Sequence, residues 1–332
     1  MKVIFDTNAS RRYIARIDHN EIDNHARINA VKMKDNNIEL LINPIVVMEL
    51  MYHLLDKNDK DYYVSYNTIK ALVLTMECQC NSKKMPLMSV AECIIARDLF
   101  NQRIEEREQM YFNIMSAASY IAHGKIDNIE DFISTDCVTI KEYIDNVENT
   151  FVEQIKAILE MVRKNNYPGD FNGFMASDLV TTLLAIYIIR TTYNLLLNEN
   201  KINSQIRQLL QYFESNQASS FEDFQMLLSA HPEFIIVFKE LLKHAQIISD
   251  KYPSFITLFK QVIIKVNNGM SENKIKNYIW DILLMFNVTD LTIDNDPVIF
   301  VTSDKAMLEA AKISHNNLSI ITFEDFSKKY LQ

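Results

Sequence analysis

Two short apolar runs near opposite ends of the chain each stop abruptly at polar residues that include a carboxylate, and any fold must place both. The first is Met1 to Asn8, M-K-V-I-F-D-T-N, where Val3, Ile4 and Phe5 give way at once to Asp6, Thr7 and Asn8. The second is Val298 to Asp304, V-I-F-V-T-S-D. Each pattern predicts a buried strand that carries an acid to its C-terminal edge, where sites form in open α/β sheets. Asp, Thr and Asn are also good helix N-caps, so Asp6 taken alone fits equally well as the cap of a helix beginning at Ser10 or Arg11.

Between these runs the chain changes character twice. Over residues 1–85 strand and helix alternate. A basic helix with Arg11, Arg12 and Arg16 precedes a second apolar run, Leu40 to Ile42, which Asn43-Pro44 ends. Proline disfavours helix for the residue before it and is tolerated in the first turn of the helix after it. Ile45 to Leu55 then reads as helix, with Val46, Leu50 and Leu54 on one stripe and Glu49 beside it. From 86 to 270 helical patterns follow one another, such as Phe151, Ile155, Leu159 and Val162, and all four glycines read there as breaks between helices. After Ser271 the alternation resumes. A helix from Glu272 to Phe286 is followed by the Val298 strand, a helix through Met307 and Ala311, a last strand at Leu318 to Ile321, and a cap at Thr322-x-x-Asp325. The two ends therefore read as one α/β domain, 1–85 with 271–332, interrupted by an α-helical insertion at 86–270. Strands contributed by both ends would pair in parallel and set Asp6 near Asp304.

Charge narrows the function. The net charge of -9 argues against a protein that coats nucleic acid by bulk attraction. Residues 86–269 hold 16 Lys and Arg against 23 Asp and Glu, a balance of -7, so nucleic-acid contact would have to be local or metal-mediated. The four cysteines, Cys78, Cys80, Cys93 and Cys137, stand in a chain whose start lacks a signal pattern, which implies free thiols in a reducing cytoplasm. Cys78-x-Cys80 has no second ligand pair nearby and is not read as a metal site. The longest apolar stretch, Leu179 to Ile189, is closed by Arg190 and is too short to span a bilayer, so no membrane partner is expected.

Taken together, V-I-F-D-T-N at the start, P-I-V-V-M-E-L after the second strand and V-I-F-V-T-S-D-K near the end resemble the PIN domain nucleases. The resemblance covers roughly residues 1 to 60 and 271 to 332, and compact members of the family have no counterpart of the insertion. It implies a three-layer α/β/α fold with a central parallel sheet and a metal-dependent endonuclease, more usually a ribonuclease. By matching position to motif, it implies four acids that are both metal ligands and catalytic: Asp6, Glu49, Asp281 and Asp304. Asp281 is matched from its helix; Asp290, Asp294 and Asp296 also lie upstream of the late strand.

The chemistry gives a reason for such a set. Converging carboxylates repel one another and stay ionised together only beside a cation. Hard oxygen donors suit Mg²⁺ or Mn²⁺. In two-metal sites one ion activates the attacking water and the other stabilises the leaving oxygen. Asn8 and Ser303 would orient water or phosphate, and Arg11 and Arg12 would meet the backbone of RNA or single-stranded DNA. The insertion would select the substrate or pack on a protein partner or a second copy; small PIN toxins, which act with an antitoxin, are a loose analogy. Two rivals stand beside the enzyme. A degenerate PIN-like module would bind RNA or protein without cutting. A phosphatase or metal-adhesion loop at D-T-N lacks the second aspartate, and the serines, that those loops use.

Overall fold

The computed structural model describes residues 1–79, 90–124, 129–164, 171–202, 226, 229–230, 232–290, 292–293 and 295–332. Cys80, Asp294 and Gly169 lie outside them, as does the side chain of Cys137. The protein is α/β with a helical majority around a small parallel sheet.

Four strands make that sheet: β1 (Lys2–Phe5), β2 (Glu39–Leu41), β4 (Asp296–Thr302) and β5 (Ile320–Thr322). β1 pairs in parallel with β2 and with β4, and β4 pairs in parallel with β5, giving the order β2-β1-β4-β5. A two-residue β3 (Thr292–Ile293) folds back antiparallel on the start of β4, an addition the sequence reading did not include. Val3 and Ile4 of β1 are fully buried, as the central position of their strand requires. At the β2 edge Gln79 stands in for a missing strand. Its Oε1 accepts from Leu40 N at 2.8 Å and its Nε2 donates to Ile38 O at 3.1 Å, so polar backbone at an exposed edge is satisfied.

Helices α1 (Thr7–Tyr13), α2 (Ile22–Asp35), α3 (Pro44–Tyr52) and α4 (Tyr62–Gln79) follow the first two strands. α1 begins at Thr7, three residues earlier than its apolar pattern predicts, because Asp6 caps it directly. The expected stripe is buried, with Val46 and Leu50 on α3 and Leu54 in the 3-10 turn His53–Leu55, where the helix expected to reach Leu55 tightens after Tyr52. Phe5 anchors the end of β1 in an aromatic group, with Phe326 at 5.2 Å, Tyr13 at 5.7 Å and Phe323 at 5.9 Å between ring centroids, all edge-on.

The described chain forms two compact units. The first takes Met1–Val90, Gln109–Val147 and Leu283–Gln332, and holds the whole sheet. The second takes Ala91–Glu108 and Glu148–Ile282. The sheet-bearing unit thus takes in 109–147, beyond the 1–85 and 271–332 expected, while 271–282 falls in the helical unit. Gly173 lies within the helix Phe171–Ala176 rather than between helices.

Within the second unit the apolar run closed at Arg190 in the sequence reading continues as one helix, Asp178–Asn198. Among the described residues it is the one long and apolar enough, by length and composition, to cross a membrane. Val180, Leu184, Ile188 and Leu196 form its buried face, and it packs against the helices Ala91–Phe100 and Glu233–Lys251. That is the burial pattern of a core helix.

The Phe5 group ties the first strand to the last helix, Phe323–Tyr330. Phe326→Ala is expected to lower the unfolding free energy by about 3–5 kcal/mol. Urea titration measures it; a loss below about 1 kcal/mol would mean that the group is not an anchor.

Candidate functional site

The acids stand where strands become helices. Phe5 pairs with Val301, so Asp6, one residue on, lies across from Thr302, and Asp6 N donates to Val301 O at 3.0 Å. Both strand ends turn into helices capped by their acids. The Asp6 carboxylate accepts from Ala9 N through Oδ1. Oδ1 of Asp304 accepts from Ala306 N at 2.7 Å and Met307 N at 2.9 Å, starting the helix Lys305–Ile313 and leaving Oδ2 outside the cap. The capping and site readings of Asp6 are therefore compatible, since one residue makes the cap and faces the second acid.

Thr302, which the sequence reading gave no role, joins the pair. Its hydroxyl accepts from Asp304 N at 2.9 Å and donates to Asp6 Oδ2, so the direction of both bonds is fixed. Asp6 is only 2% exposed. Burial pushes its carboxyl up; the donors Thr302, Ala9 N and Ser303 N pull it down; the Asp304 carboxylate pushes it up again, and it ends at about 6.

Glu49 reaches the group from α3. It is half-buried, and the Thr7 hydroxyl donates to its Oε2 across the contact between α1 and α3. The short step from Asp6 to Thr7 thus links the first acid to the third. Asp281 lies on the helix Glu272–Leu284, in the stretch up to Ile282 that belongs to the second unit, whereas the other three acids belong to the first. Of the alternatives to it, Asp296 starts β4, at the opposite end of that strand from Asp304, and pairs with the N-terminal amine at 3.6 Å. Asp290 is exposed.

The residues expected to meet substrate are placed unevenly. Asn8 is exposed on α1. Ser303 has a buried Oγ without a hydrogen-bond partner. Arg11 pairs with Asp61 at 3.4 Å and Arg12 with Glu324, so both guanidinium groups are already engaged by carboxylates.

One turn beyond Glu49 lies a group that sequence spacing did not single out. His53, Asp59 and Asp61 bring ligand atoms within 4.8 Å of one another, close enough to hold a cation. His53 Nδ1 meets Asp59 Oδ2 at 2.9 Å and Asp61 N donates to Asp59 Oδ1 at 2.7 Å. Burial is the largest single influence on Asp59 and raises it, but the hydrogen bonds from Asp61 N and His53, with the charges of His53 and Arg11, together outweigh it and hold the carboxyl below its ordinary range. Arg11 sets one guanidinium against Asp61 of the group. Its signal in the sequence was His53 four residues after Glu49, with D-x-D opening α4.

Asp6, Glu49 and Asp304 are not among the ligand groups brought that close. They do not form a closed cage. Their donor chemistry fits a hydrated hard cation held by one or two carboxylates, which is how Mg²⁺ is commonly bound.

No family model matches the chain, and neither a curated protein nor a solved structure matches it.

A buried acid with a raised pKa has a definite sign. The folded state binds more protons than the unfolded one between about pH 4 and 6, so the stability that Asp6 supports at low pH is lost as pH rises through about 6. Asp6→Asn removes this term. It is expected to gain stability relative to wild type by about 1–3 kcal/mol near pH 8 and much less near pH 4. Urea titration at both pH values reads the difference; an equal effect at both would mean that Asp6 is not strained by its own charge.

Proposed function

We propose that the chain is a Mg²⁺- or Mn²⁺-dependent endoribonuclease with a PIN-like α/β domain, acting in the cytoplasm. The observation that carries the reading is the pairing of Asp6 and Asp304 on adjacent parallel strand ends, joined through Thr302. A pair of acids at the carboxyl edge of a parallel sheet is where such a fold keeps its chemistry. Cys78 is an exposed free thiol and Cys93 a buried one, pushed up to about 12 by burial and nearby glutamates, and free thiols accord with a reducing compartment.

In this reading Asp6 and Asp304 would hold the hydrated ion, and Glu49 would complete or orient its shell. When bound, the ion supplies an activated water and charge for the leaving oxygen. The protein's own part is orientation. Thr302 holds the Asp6 carboxylate against rotation, and the helix N–H groups hold that of Asp304. Thr7 sets the direction of Glu49. The proposal rests on the acids of the first unit, and it draws on neither Arg11 nor Arg12 for phosphate, since both are paired internally.

A second reading, a PIN-like module that binds RNA without cutting, draws on the fact that Asp6, Glu49 and Asp304 are not a group whose ligand atoms all lie within 4.8 Å of one another. The same assay separates the two. Purified protein is incubated with mixed single-stranded and structured RNA and Mg²⁺ or Mn²⁺. Wild type is expected to cut, EDTA to stop it, and Asp6→Asn and Asp304→Asn each to lose at least about a hundredfold in rate. Thr7→Val, which only releases Glu49, is expected to lose about tenfold. Cleavage at equal rates by wild type and both Asp variants would overturn the assigned site, and RNA binding by wild type without cleavage would favour the module.

A further inference from the structure

The strand register places a third polar residue at the edge where Asp6 stands. Ile4 pairs with Leu41 at the last rung between β1 and β2, and Asn43 follows Leu41 by two residues as Asp6 follows Ile4, on the side of β1 away from β4. Asn43 is 1% exposed. Its Oδ1 is committed to capping α3, accepting from Ile45 N at 2.9 Å. That bond fixes the amide plane, and the other branch of the amide, Nδ2, is buried without a hydrogen-bond partner. On the other side of Asp6, the Ser303 Oγ is also buried and unpartnered. Buried polar groups are nearly always satisfied by protein, water or ligand, so donors without a protein partner at this edge are candidates to meet a ligand.

Asn43 has a feature that makes it more than a packing accident. The cap needs only an acceptor, and Asp or Ser would serve α3 as well. Asparagine alone of the three adds an N–H donor beside the acid pair without changing the charge there. What an acid-lined edge lacks is a neutral donor for an anionic substrate, and a phosphodiester oxygen is the acceptor such an edge would receive.

We propose that Asn43 is a substrate-binding residue, its Nδ2 donating to a phosphodiester oxygen of the nucleic acid held beside Asp6, with the Ser303 hydroxyl as a second donor across the acid. This rests on the nuclease reading for the identity of the ligand.

The test exploits the two separate duties of the amide. Asn43→Ser and Asn43→Asp both keep the cap on Ile45 N and both remove the buried N–H. Each is compared with wild type in thermal unfolding, in cleavage of single-stranded RNA with Mn²⁺, and in binding of a fluorescein-labelled oligouridylate with Ca²⁺ in place of Mn²⁺. The Ser variant is expected to unfold with wild type and to lose about tenfold in oligouridylate affinity, the worth of one hydrogen bond to a charged group. The Asp variant, which sets a further negative charge at the edge, is expected to lose more. In cleavage the loss should appear in KM. Wild-type binding by the Ser variant, or a loss matched by a fall in its unfolding temperature, would overturn the proposal. If wild type binds the oligouridylate but cuts nothing, and the Ser variant loses binding, the nuclease reading fails and the assignment of Asn43 stands. If wild type cuts and the Ser variant binds and cuts equally well, the assignment fails and the nuclease stands. No binding by wild type removes the ligand and overturns both.

Discussion

A single hydroxyl holds the acidic centre in its arrangement. Thr302 accepts from the backbone of Asp304 and donates to the carboxylate of Asp6, so one side chain fixes both acids and the direction of every bond between them. Without a donor there, Asp6 would face burial and the charge of Asp304 with only backbone N–H groups to offset them. Burial wins in part, which is why the acid sits near 6 rather than near 4. The group is thus poised between the two protonation states close to neutrality, and a cation arriving beside it would pull it fully to the ionised one.

The rest of the sheet edge follows the same logic. Four helices begin there, each capped by the side chain that closes its strand or follows it: Asp6 for α1, Asn43 for α3, Asp304 for Lys305–Ile313 and Thr322 for Phe323–Tyr330. Helix N-termini carry a partial positive charge, which favours carboxylates in the first turn. Two acids are tolerated at one buried edge because each sits on the start of its own helix. The remaining caps, Asn43 and Thr322, are neutral; the first turn of α3 holds no acid, whereas that of Phe323–Tyr330 holds Glu324 and Asp325.

Much of this was legible in the sequence, and the reasons differ residue by residue. Asp6 and Asp304 could be read because each directly follows a short apolar strand, and parallel pairing of the two strands leaves little freedom in where their ends meet. Glu49 could be read from its place one helix after the second strand. Asp281 is matched from its helix alone, and a helical stripe gives a face and not a neighbour; the boundary between the two units falls within that helix, after Ile282. Asp296 is excluded only by the register of β4, which runs two residues earlier than its apolar core. His53, Asp59 and Asp61 meet because the chain turns between α3 and α4, a turn that local composition does not specify. Arg190 closes the apolar run because charge interrupts it, yet the helix continues to Asn198 along its buried face. Thr302 and Asn43 stood in plain view within their motifs; what hid their importance was that a cap and a bridge are defined by geometry.

The pairing of β1 with β4 has a consequence for how the molecule comes into being. The Thr302 to Asp6 bond spans 296 residues, so it adds a loop-closure cost that no local contact can offset early. On a chain growing at about 5–20 residues per second, the start of the protein waits roughly 15 to 60 s for its partner strand to be made. During that interval Asp6 is a solvated carboxylate at the end of an unpaired strand, with nothing to hold it beside a second acid. The centre therefore belongs to the paired strands and to neither alone: no nascent fragment that stops short of Thr302 can hold Asp6 in this arrangement.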